Sequence, residues 1–94
     1  MSKVLTDTET LVIDELLEEV VETSLLVVHN DDVNTMDFVV NALMEICGMP
    51  SEQAEQCTLI IHYKGKYGVK DGSLNDLRPL KDAFIDRGIN ATIE

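Results

Sequence analysis

A four-residue apolar run, Leu25-Leu26-Val27-Val28, stops at the polar block His29-Asn30-Asp31-Asp32, and apolar residues then recur at a different spacing. The run has the length and composition of a buried strand. After the block, Met36, Val39, Val40, Leu43 and Cys47 fall at i, i+3, i+4, i+7 and i+11, which is one face of a helix. The chain therefore turns from extended to helical across a short junction rich in hydrogen-bond acceptors. Asn34 is placed to cap the helix, with Asp37 three residues on to favour its dipole. Gly48 offers a left-handed stop and Pro50 lies beyond it.

The same reading continues to the end of the chain. A second helix is expected from Pro50 and Ser51 to Lys64, with Gly65 as its C-cap. Ala54, Cys57 and Ile61, together with Leu59 and Ile60, give it two apolar sides, so it is expected to be largely buried. Lys66 to Lys70 alternates roughly and reads as a strand, and Asp71-Gly72 reads as a turn. Ser73 can cap a third helix whose Leu77, Leu80 and Phe84 face the core; Pro79 requires it to kink or to begin near that residue. Gly88 ends it, and Ile89, Ala91 and Ile93 alternate with polar neighbours as a last strand. The order is β-α-α-β-α-β. It predicts a small two-layer α+β sandwich, a three-stranded antiparallel sheet with three helices on one face.

Composition limits what such a domain does. Ninety-four residues build one modest core, and with two Phe, two Tyr and no Trp it must be filled by aliphatic side chains. The formal net charge of −11 opposes nucleic acid and anionic membrane surfaces and favours basic partners. No apolar run approaches the ~18 residues of a membrane span, and no signal peptide is recognisable, so a cytoplasmic chain is expected. Cys47 and Cys57 read as two buried free thiols, without CxxC spacing. Acidity is concentrated ahead of the domain. Residues 1–24 carry Asp7, Glu9, Asp14, Glu15, Glu18, Glu19 and Glu22 against Lys3 alone. Val12, Ile13, Leu16, Leu17, Val20 and Val21 recur there at helical spacing, so this extension reads as flexible or as a short amphipathic helix. The domain itself is expected over 25–94.

Asn30-Asp31-Asp32, then Met36, Phe38 and Val39, then His62-Tyr63 with Gly65-Lys66, resembles in order and spacing the ClpS adaptors of ATP-dependent Clp proteases. The resemblance runs from about Leu25 to Glu94. It implies a protein that captures substrates by a free N-terminal bulky hydrophobic residue (Leu, Phe, Tyr or Trp). It also implies delivery to a Clp AAA+ unfoldase of ClpA or ClpC type through the unfoldase's N-terminal domain. The positions implied to hold the α-amino group are Asn30, Asp31 and His62, with Asp32 adjacent. The side-chain pocket is implied at Asn34, Met36, Val39, Thr58, Ile61 and Ile89. Such groups suit the task, because a desolvated ammonium has three donors and needs an acceptor for each, with a negative charge among them. Three departures stand out. Thr58 replaces a common Met, Asn34-Thr35 replaces a common Thr-Pro, and Ser73 to Leu80 lacks the Ala-Glu-x-Ala-x-x-Lys signature associated with docking.

Two other readings stay open. His29, Asp31, Asp32 and His62 have the side-chain types of a zinc or manganese site. Alternatively, the fold is kept but meets a different partner through the altered Ser73–Leu80 face. An enzyme is not expected: there is no nucleophile beside a base in a recognisable motif and no Gly-rich phosphate loop, and no cofactor is implied.

Overall fold

The computed structural model describes residues 23–94, so the acidic segment 1–22 lies outside the described residues. Strand β1 spans Thr23–His29, helix α1 Met36–Cys47, helix α2 Ser51–Lys64, strand β2 Lys66–Ser73, helix α3 Leu74–Asp86 and strand β3 Ala91–Ile93. The expected β-α-α-β-α-β order is present. β1 is central in an antiparallel sheet of order β2-β1-β3. Its residues Leu26 and Val28 are fully buried and meet Ala42 and Leu43 of α1, Ala54, Cys57 and Ile61 of α2, and Leu77 and Phe84 of α3. Leu25 points the other way and is 40% exposed.

Each helix stops and starts for a visible local reason. Thr35 caps α1, its Oγ1 accepting from the Phe38 amide at 3.2 Å, and Ser73 caps α3, its Oγ accepting from the Asp76 amide at 3.1 Å. α1 and α2 both end on glycines of positive φ, Gly48 at 69° and Gly65 at 91°, whose amides return to the carbonyls of Met44 and Ile61. A side chain at either position would strain that left-handed turn.

Four expectations are corrected. Asn34 does not cap α1; Thr35 does, because the Asn34 amide and side chain are already claimed by Asp31. Asp71-Gly72 is not a turn. It continues β2, with Asp71 opposite Leu25 and Gly72 opposite Ser24, after a register shift between Leu26 and Val27. The shift leaves Val69 as an extra residue on β2, which the irregular alternation of that stretch concealed. The second helix is buried on one side only: Leu59 is 46% exposed and Ile60 half-buried. Finally, α3 neither begins nor breaks at Pro79. It runs from Leu74 because Ser73 caps it and Leu77 anchors its first turns in the core, while Asn75, Arg78 and Pro79 lie on the exposed side. There, water can satisfy the carbonyl left without a proline N–H.

β1 also begins at Thr23, two residues before the expected domain boundary, since Thr23 and Ser24 pair with Ser73 and Gly72. Cys47 and Cys57 are free thiols, and burial pushes both above the ordinary thiol range. Among the described residues no helix is long and apolar enough to cross a membrane.

The alternation of β1 carries a direct test. Leu26→Ala should cost about 2–5 kcal/mol in urea unfolding, whereas Leu25→Ala should cost under about 1 kcal/mol. Equal losses would mean that the strand does not present its faces as described.

Candidate functional site

The junction between β1 and α1 is shaped by one carboxylate. Asp31 Oδ1 accepts from the backbone amides of Val33 at 2.9 Å and Asn34 at 2.7 Å, and its Oδ2 accepts from Asn34 Nδ2 at 2.8 Å. The same Asn34 Nδ2 also donates to the carbonyl of Gly88 at 2.9 Å, which ties this loop to the connection between α3 and β3. The backbone amide of Asn30 donates to the carbonyl of Gly65 at 2.8 Å, fixing the end of β1 against the end of α2. These bonds bring together segments far apart in the chain. Accepting them holds the Asp31 carboxyl below the usual carboxylate range, led by the Asn34 backbone amide and opposed by partial burial.

Between this loop and α2 lies a cleft lined by His29, Asn30, Asp31, Asn34, Met36, Val39, Thr58, Ile61 and His62. Counting the part open to solvent it measures about 300 Å³. The enclosed part is small, with room for about one water molecule. Its lining mixes polar groups (Asn30, Asp31, Asn34 and His62) with apolar ones (Met36, Val39 and Ile61). No hydrogen bond among the described residues occupies the side chains of Asn30 or His62. The His62 ring makes an edge contact with Tyr63, centroids 5.0 Å apart. Asp31 has spent three of its roughly four acceptor positions on the loop, so it brings a negative charge and one further acceptor. Thr58 is buried, and its hydroxyl donates to the Ala54 carbonyl at 2.8 Å, so it offers the cleft no free donor.

Of the positions singled out from the sequence, Asn30, Asp31, His62, Asn34, Met36, Val39, Thr58 and Ile61 converge on this cleft. Asp32 and Ile89 do not line it. Asp32 is exposed, and Ile89 is 1% exposed within the core, its amide bonded to the carbonyl of Phe84. His29 is an addition to the wall. Its Nε2 lies 2.8 Å from Thr92 Oγ1, an orientation fixed by the neighbouring strand. Strand alternation carried that signal, since Thr92 pairs with Val27 and so sits diagonally beside His29 on the same face. The metal alternative finds no ligand set: among the described residues no three His, Cys, Asp or Glu side chains are arranged to hold an ion.

Comparison with known proteins yields one consistent group. The family model described as "ATP-dependent Clp protease adaptor protein ClpS" matches residues 21–85. The ATP-dependent Clp protease adapter protein ClpS of Nitratidesulfovibrio vulgaris is 42% identical over 59 residues, which cover 63% of this chain and 57% of the relative. That of Streptomyces coelicolor is 29% identical over 68 residues, 72% of this chain and 71% of the relative. The match thus spans little more than half the length of the first of these relatives. Among solved structures, Agrobacterium tumefaciens ClpS2 bound to L-phenylalaninamide has a TM-score of 0.72 and 18% identity. It covers 78% of this chain and 95% of its own, a likeness of fold.

The loop that shapes the cleft should titrate. A carboxyl held low in the folded protein stabilises it above the unfolded value near ~3.9, and that contribution disappears as pH falls through the lower folded value. Asp31→Ala should therefore cost about 1 kcal/mol at pH 7, and its deficit against the parent should shrink below about pH 4. Urea unfolding from pH 7 to pH 2 measures it; a deficit independent of pH would remove the carboxylate from this role.

Proposed function

Because the chain belongs to the ClpS family of ATP-dependent Clp protease adaptor proteins, we propose that its cleft binds the free N-terminus of a polypeptide that begins with a bulky hydrophobic residue. The observation that carries this reading is the mixed polar and apolar lining. Asn30, Asp31 and His62 supply acceptors and a negative charge beside the apolar Met36, Val39 and Ile61. An α-ammonium requires the first set and a Leu, Phe, Tyr or Trp side chain the second. The phenylalaninamide that gives the Agrobacterium ClpS2 structure its name is a molecule of this kind, an aromatic residue with a free amine.

The energies suit selection at the first residue. Each acceptor left unpaired in a closed site costs about 1–3 kcal/mol, which opposes acetylated and internal sequences. Burying a Leu or Phe side chain contributes about 1.5–3 kcal/mol, enough to prefer it over Gly or Ala. The small enclosed part means that such a side chain enters by displacing Met36, an unbranched and 36% exposed residue that can re-pack at small cost. Asp32, exposed beside this group, adds to the local negative potential. Ile89 backs the cleft from the core in this reading.

An adaptor of this kind does no chemistry on its ligand. It holds the substrate and passes it, in the cytoplasm, to the N-terminal domain of a ClpA- or ClpC-type unfoldase, with the acidic segment 1–22 taking part in transfer. Ser73 to Leu80, without the usual docking signature, forms the cap and first turns of α3 and leaves Leu74 40% exposed.

Calorimetry separates the parts of this proposal. Peptides beginning with free Leu or Phe should bind about ten- to a hundredfold more tightly than their acetylated copies. Asn30→Ala and His62→Ala should each weaken binding without lowering Tm, since both side chains are exposed and make no hydrogen bond among the described residues. Equal binding of free and acetylated peptides would end the proposal.

A further inference from the structure

Beside the cleft, α1 and α2 leave a second and wider hollow. It is lined by Met36, Asp37, Val40, Glu55, Thr58 and Leu59 and measures about 520 Å³ counting its open mouth. Met36 and Thr58 line both hollows, so the two lie side by side. The second differs in chemistry from the first. Met36, Val40 and Leu59 form an apolar shelf on which Met36 and Leu59 are 36% and 46% exposed. Asp37 from α1 and Glu55 from α2 set a carboxylate on each helix, and neither makes an ion pair or hydrogen bond among the described residues. A greasy shelf flanked by two unpaired carboxylates suits a long aliphatic side chain with a cation at its tip.

We propose that this groove is a subsite for a Lys or Arg side chain at the second or third residue of the captured polypeptide. The inference rests on the cleft taking the first residue. Successive residues of an extended chain advance about 3.3–3.6 Å, and a lysine or arginine stem spans more than one such step, so a ligand anchored in the cleft reaches the neighbouring groove. The stem lies on Met36, Val40 and Leu59, and the cation is held between Asp37 and Glu55. Thr58 keeps the two hollows adjacent, because a short side chain whose hydroxyl is turned to Ala54 fills neither. Both carboxylates are exposed, so the preference is a graded one that salt weakens.

Fluorescence anisotropy with labelled free-amine peptides tests this directly. All begin with Leu and carry Lys, Ala or Glu at the second or third position. The Lys peptide should bind about two- to fivefold more tightly than the Ala peptide at one of those positions, and the Glu peptide more weakly. The Lys-to-Ala ratio should fall to one in the Asp37→Asn/Glu55→Gln double variant and persist in Asp82→Asn/Asp86→Asn, which removes the same charge from α3. Equal binding of the three peptides, or a Lys preference that survives the groove variant, overturns the subsite and leaves the first-residue cleft standing. Failure of every free-amine peptide to bind overturns both.

Discussion

Asp31 holds the β1–α1 connection in one shape. Its carboxylate gathers the amides of Val33 and Asn34 and the side-chain nitrogen of Asn34, which in turn reaches the Gly88 carbonyl. Through this relay the mouth of α1 is fixed against the α3–β3 connection. The Asn30–Gly65 bond does the same for α2. Asn30 and His62 come from segments thirty-two positions apart and meet only because those backbone ties put the end of β1 beside the end of α2. Ligand acceptors left unpaired at the rim of a cleft are costly to keep in place without such a scaffold, and here the scaffold is built from the same loop that supplies them.

A division of labour follows. Structural hydrogen bonds consume most of what Asp31 and Asn34 can offer, while Asn30 and His62 keep their polar atoms available. The apolar residues are shared in a similar way: Leu43 and Ala42, one turn further along α1, are spent on the core, and Met36 and Val39 at its start face the cleft. Met36 lines both the cleft and the wider groove on α1 and α2, so in the proposed binding mode one flexible side chain would govern both the entry of a first residue and the surface met by the next.

Most of the architecture was legible in the sequence because local signals agreed with global ones. Gly48 and Gly65 mark helix ends wherever they are placed, Ser73 caps as serines do, and the burial of Leu77 and Phe84 follows from spacing. Misreadings occurred where a tertiary partner overrode a local preference. Asn34 looks like a cap, but a carboxylate three residues back claims it, and the cap passes to Thr35. Asp71-Gly72 looks like a turn, but β1 offers a ladder that keeps the chain extended. Leu59 looks like core, but it lies on the side of α2 away from the sheet and stays 46% exposed. In the site the same rule separates Ile89, drawn into the core, from His29, whose ring is held by Thr92 on another strand. Cross-strand neighbours are set by register, and register depended on a bulge that composition does not announce.

In the proposed complex, acceptors from two distant segments hold one ammonium at the rim of an apolar cleft. A crystal structure of the protein with a peptide beginning in free Leu tests it most directly. The terminal nitrogen should lie within about 3 Å of Asn30 Oδ1 and a His62 ring nitrogen, with the leucine side chain against Met36, Val39 and Ile61. A peptide found elsewhere on the surface, or bound with its amine in solvent, would contradict it.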